Sequence, residues 1–76
     1  MPIFDIGTRV KVCQGAGLDS GREGIVIHPY CVPLDDRGVP NLGDGHYNPF
    51  DSSREAALLD DEDNLFTMFW SFLERA

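Results

Sequence analysis

The stretch that decides the fold is Gly7–Ile27, GTRVKVCQGAGLDSGREGIVI. Val10 and Val12 fall on one face of an extended strand, and Arg9, Lys11 and Cys13 fall on the other. Gly15, Gly17 and Gly21 stand where the chain must reverse, at positions suited to a positive φ. Gly24 then opens a β-branched run, Ile25-Val26-Ile27, and a glycine there signals a bulge or a close approach of backbone. The stretch reads as one β-hairpin with its turn centred near Leu18 and Asp19.

Gly7, Val10, Val12, Gly15, Gly21, Gly24 and Val26 resemble the KOW motif of SH3-like barrels, found in ribosomal proteins and transcription elongation factors. The resemblance spans residues 7–27, about a third of the chain. It implies a small SH3-like barrel whose work is binding rather than chemical conversion. Within that family it also implies an alternative role, as a nucleic-acid-associated module of transcription or translation.

Outward from the hairpin, Pro29 to Ser53 holds four of the five prolines (Pro29, Pro33, Pro40 and Pro49) together with Gly38, Gly43 and Gly45. Within it CVPLDDRGVPNL reads as a second, irregular hairpin turning at Asp35-Asp36-Arg37-Gly38, its strands kept short by prolines that cannot donate to a ladder. The excursion, residues 29–53, corresponds to the variable loop of an SH3-like barrel. The last third reads as a further hairpin: Arg54 to Leu59, a charged turn Asp60–Asn64, then Leu65 to Trp70 returning. A helix competes there because Ala56, Ala57, Leu58 and Leu59 are good helix formers. Successive acids repel one another on a helix and suit a hairpin tip, and LFTMFW is rich in β-formers, so the strands are preferred. The expected architecture is mainly β, a small SH3-like barrel of two or three hairpins with the long Pro/Gly-rich excursion and one short C-terminal helical turn. Strands are expected near 8–13, 23–28, 55–60 and 65–70. Val10, Val12, Val26, Leu59 and either Phe66 or Leu65 should point inward.

A chain of 76 residues makes one domain, 1–76, near the lower limit for a self-sufficient core. Its hydrophobic content of 42% is ordinary for a globular protein. The N-terminal MPIFDIGTRV lacks a basic region before an apolar stretch, and there is no apolar run of roughly 18 residues, so a cytoplasmic protein without a membrane span is expected. Residues 1–30 balance three bases against three acids; residues 31–76 carry three arginines against ten acids and hold the whole net charge of −7. Such acidity opposes a phosphate backbone, and Arg9, Lys11 and Arg22 form the basic face on which nucleic-acid binding would have to rest.

Four kinds of site follow from the residue types. Cys13, His28, Cys31 and His46 have the identity of zinc ligands but not the spacing, and the two thiols are expected to be reduced and buried or half-buried. Asp60–Asn64 offers oxygen ligands without the glycine and distal glutamate of a calcium loop. His46 beside Asp44, or Cys13 as nucleophile, lacks an activating partner in any catalytic pattern. The fourth kind is aromatic. Phe66, Met68 and Trp70 alternate with Leu65, Thr67 and Phe69, more large apolar groups than one face of a small core uses. The reading is a non-enzymatic protein-interaction module or a small accessory subunit of a larger assembly, itself a monomer or weak homodimer, without cofactor or metal. Its contact surface would combine Phe69 and Trp70 with Tyr30, Tyr47 and Phe50 from the excursion.

Overall fold

The computed structural model describes residues 3–42 and 48–76. Five antiparallel strands form one open sheet: β1 (Arg9–Val12), β2 (Glu23–Ile27), β3 (Glu55–Leu59), β4 (Leu65–Phe69) and β5 (Leu73–Arg75), in the order β4-β3-β2-β1-β5. The four strands expected near 8–13, 23–28, 55–60 and 65–70 are present. The C-terminal hairpin is strand–turn–strand, with no long helix.

The first hairpin pairs Val10 with Gly24 and Lys11 with Glu23, which centres its turn on Gly17, not on Leu18 and Asp19. Gly15, Gly17 and Gly21 all take positive φ, and a 3-10 turn, Gly17–Asp19, fills the reversal. Cys13 consequently lies beyond the ladder rather than opposite Gly24, and its amide donates to the Phe72 carbonyl at 2.7 Å. Gly24 is required for a different reason. A Cβ placed there would stand 2.9 Å from the Leu59 carbonyl oxygen and 3.3 Å from the Phe66 ring, so β2 and β3 approach only across a residue without a side chain.

The register of β2 on β3, Val26 opposite Leu58 and Ile25 opposite Leu59, decides which leucine is core. Side chains directly opposite one another share a face. Leu58 therefore joins Val26 inside at 1% exposure, while Leu59 is only half-buried on the outer face. This corrects the expectation for Leu59. The core comprises Val10, Val12, Val26, Ala56, Leu58, Phe66, Met68, Trp70 and Leu73, with Phe4 and Ala16 packed against it.

Among the described residues three short 3-10 turns occur instead of one, at Gly17–Asp19, Pro29–Cys31 and Trp70–Phe72. The last delivers the chain into β5, a strand not anticipated, which pairs with β1 from Val12–Leu73 to Val10–Arg75. The irregular hairpin of the excursion forms as read. Leu34 bridges Pro40, Gly38 turns at φ 80°, and Asp35 Oδ1 accepts the amides of Arg37 and Val39, both at 2.9 Å. Val32 and Val39 are buried beneath it. No helix among the described residues is long and apolar enough to cross a membrane.

Candidate functional site

The N-terminal segment is laid against the sheet by backbone geometry. Gly7, at φ 95°, donates its amide to the Val26 carbonyl (2.8 Å), and the Thr8 amide donates to the Asp5 carbonyl (3.1 Å). That turn carries Ile3, Phe4, Asp5 and Ile6 past the end of β2. There they meet Ile27, Pro29, Ser52, Ala57 and the edge of Trp70 around an apolar cleft of about 310 Å³. Trp70 is core at 6% exposure, and its indole Nε1–H donates to the Ser52 carbonyl at 3.1 Å. It thus fixes the excursion's return to the sheet. The Glu55 carboxylate, buried at the start of β3, also lines this cleft and accepts the Asp51 amide at 3.2 Å.

A second cleft, of about 320 Å³, shares Pro29 and Ser52 with the first and is walled by His28, Tyr30, Val32, Leu34 and Phe50. His28 caps the 3-10 turn Pro29–Cys31, its Nδ1 accepting the Tyr30 amide at 3.3 Å. The same imidazole stacks on the Tyr30 ring, centroids 4.5 Å apart. Tyr30 is thereby held outward at 91% exposure. Phe50 is half-buried, its amide donating to the Gly38 carbonyl at 3.0 Å. Joined at Pro29 and Ser52, the two clefts make up one apolar groove.

The aromatic residues expected to share one surface are divided. Tyr30 and Phe50 line the groove, and Trp70 is a buried wall of it rather than an exposed contact. Phe69 is 45% exposed and lines neither of these two clefts among the described residues. It packs edge-on against Phe72 (6.1 Å) at another cleft of about 200 Å³, lined also by Ala16, Asp19, Thr67, Met68 and Glu55, the last shared with the first cleft. Tyr47 lies outside the described residues, as do Asp44 and His46. Ile3, Ile6 and Leu34 were not foreseen as lining residues. The signal for Ile3 and Ile6 is the apolar cluster IFDI just before Gly7, and Leu34 carries no comparable local signal.

The basic face is largely committed to acids. Arg9 forms a bidentate pair with Asp61 at 3.0 and 3.0 Å and a third contact with Glu23 at 3.3 Å. Arg22 binds Asp60 at 2.7 Å and Asp19 at 3.2 Å, with its guanidinium 3.7 Å over the Phe66 ring. Lys11 sits between Glu23 and Glu74 in the strand register. Burial opposes the charge of Arg22, yet the bonds from Asp60 and Asp19 hold its pKa above the ordinary value. The Arg22 bond, joined by the Asn64 and Glu62 amides, lowers the Asp60 pKa; the Arg9 bond does the same for Asp61. The acidic tip is therefore pinned to the first hairpin. Its first two carboxylates face arginines and backbone amides, not a shared cation position.

Cys13 is half-buried, whereas Cys31 is exposed, against the expectation of a sheltered thiol; neither is in a disulfide. Among the described residues no group of three or more His, Cys, Asp or Glu side chains is arranged to hold a metal ion. Comparison with protein-family models, curated proteins and solved structures found no match for this chain.

Proposed function

We propose that the chain is a non-enzymatic SH3-like barrel that docks onto another protein through the apolar groove, as an interaction module or small accessory subunit. The barrel reading is supported by the strand order, with β1 between β2 and β5, and by the 3-10 turn that joins β4 to β5. The observation that carries the binding reading is Tyr30, held at 91% exposure by its stack on His28 at the mouth of the groove. An aromatic ring fixed in solvent loses little conformational freedom on binding, and rings of this kind dominate interface energetics. Exposed Ile3, Ile6 and Leu34 extend the apolar surface on either side.

The nucleic-acid alternative would rest on Arg9, Lys11 and Arg22. Two of those three are already paired with carboxylates, and a phosphate would have to displace Asp61 and Asp60 to reach them. The test is affinity capture from native lysate with the wild-type chain, Tyr30→Ser and Phe69→Ser. A partner retained by wild type and Phe69→Ser but lost by Tyr30→Ser supports the groove. A partner lost only by Phe69→Ser moves the surface to the Phe69–Phe72 cleft.

A further inference from the structure

Resting on that reading, we infer the chemistry of the groove's occupant: a short peptide segment that carries a lysine or arginine among apolar residues. The walls are apolar, and the charged groups lining the first cleft, Asp5 and Glu55, are both acids. Asp5 is exposed beside Ile3 and Ile6, while Glu55 is buried and lines both this cleft and that of Phe69. In the second cleft the titratable lining groups are His28 and Tyr30, and the His28 Nδ1 is already occupied by the Tyr30 amide. No lysine or arginine lines either cleft among the described residues.

A neutral apolar segment would fill the groove and leave the Asp5 carboxylate with water alone. An acidic segment would place like charges together, in a chain whose net charge is already −7. A cationic segment lets its aliphatic stem cover Ile3 and Ile6 while its head meets Asp5. The chain supplies a small precedent close by, since Arg75 lies with its guanidinium 5.7 Å over the ring of Phe4, a first-cleft residue.

The experiment is selection from a random twelve-residue peptide display library on the immobilised chain. Affinities of enriched peptides are then measured against wild type, Ile6→Ser, Asp5→Asn and Glu62→Gln. Glu62 sits on the distal hairpin tip and lines neither cleft, so Glu62→Gln changes net charge as Asp5→Asn does but away from the groove. The expected result is enriched peptides with a lysine or arginine flanked by apolar residues, all dependent on Ile6. Asp5→Asn should weaken them about two- to five-fold, the range of a partly exposed charge pair, and Glu62→Gln should leave them unchanged. Neutral or acidic enriched peptides that still need Ile6 would overturn the cationic occupant and leave the groove standing. Equal weakening by Asp5→Asn and Glu62→Gln would overturn it likewise. No enrichment, or peptides indifferent to Ile6→Ser, would overturn the groove itself.

Discussion

Replacing Gly24 with alanine should destabilise the domain, although alanine is ordinarily the better residue in a strand. Gly24 is not held at a positive φ, so the substitution brings no left-handed strain. In open space it would restrict the unfolded chain and stabilise by about 0.4–1 kcal/mol. The added methyl, however, would stand 2.9 Å from the Leu59 carbonyl oxygen and 3.3 Å from Leu59 C and Phe66 Cε1. Two of those atoms are backbone of the paired strand and cannot rotate away. Relief requires β2 and β3 to separate where Ile25 pairs with Leu59. Forcing one extra carbon into a packed site costs about 1–3 kcal/mol, which exceeds the entropic gain. The net expectation is a loss of about 1–2 kcal/mol, read as a lower urea midpoint at unchanged slope. In a thermal melt this corresponds to a fall of roughly 5–15 °C for a domain of this size. A variant as stable as wild type, or more stable, would refute the close approach of the two strands and the register built on it.

Three further outcomes follow from the packing and the charges. Leu58→Ala should cost about 2–5 kcal/mol in chemical denaturation, and Leu59→Ala less than half as much, because only Leu58 faces the core; equal losses would refute the face assignment. The pKa of Asp35 is lowered first by the Val39 amide, that of Asp51 by Ser53, and those of Asp60 and Asp61 by arginines. Folding thus favours their ionised forms, so stability should be level above about pH 5 and decline as pH falls below about 4, the ordinary aspartate value, through the lower folded values. Stability that rose over that interval would contradict these bonds. Phe69→Ser should change stability by only about 0.5 kcal/mol, as for an exposed residue, and a loss of roughly 3 kcal/mol would place the ring in the core.

The strands were legible because their patterns are local. Val10 and Val12 alternate with charges, and Gly24-Ile-Val-Ile and LFTMF carry β-formers between turn residues. Parity was not legible in AALL, where every side chain is apolar. Only pairing with Val26 selects Leu58 over Leu59. The expected turn centre is off by one and a half residues, which puts Cys13 instead of Val10 opposite Gly24, because a 3-10 turn within a glycine-rich reversal consumes chain that a simple count assigns to ladder. β5 escaped notice because LER has three residues, two of them charged, and is held extended by β1 rather than by its own preference.

The site was half legible. Tyr30 and Phe50 stand out by residue type, but nothing local separates them from Phe69, which the strand carries to a different cleft. The ion pairs of Arg9 with Asp61 and Arg22 with Asp60 span 52 and 38 residues. No spacing rule reveals them, so an acidic run that looks solvated is in fact tied to the opposite hairpin.

We propose that the groove from Ile3 to Leu34, and not the Phe69 cleft or the basic hairpin, receives the partner. It is tested most directly by amide and indole chemical-shift mapping of the isotope-labelled chain on addition of its captured partner or a selected peptide. Shifts are expected to concentrate at the amides of residues 3–6, 27–34 and 50–52 and at the Trp70 indole, with the backbone amides of 9–11 and 69–72 little changed. Shifts centred on Phe69 and Phe72, or on Arg9, Lys11 and Arg22, with the groove silent, would contradict it.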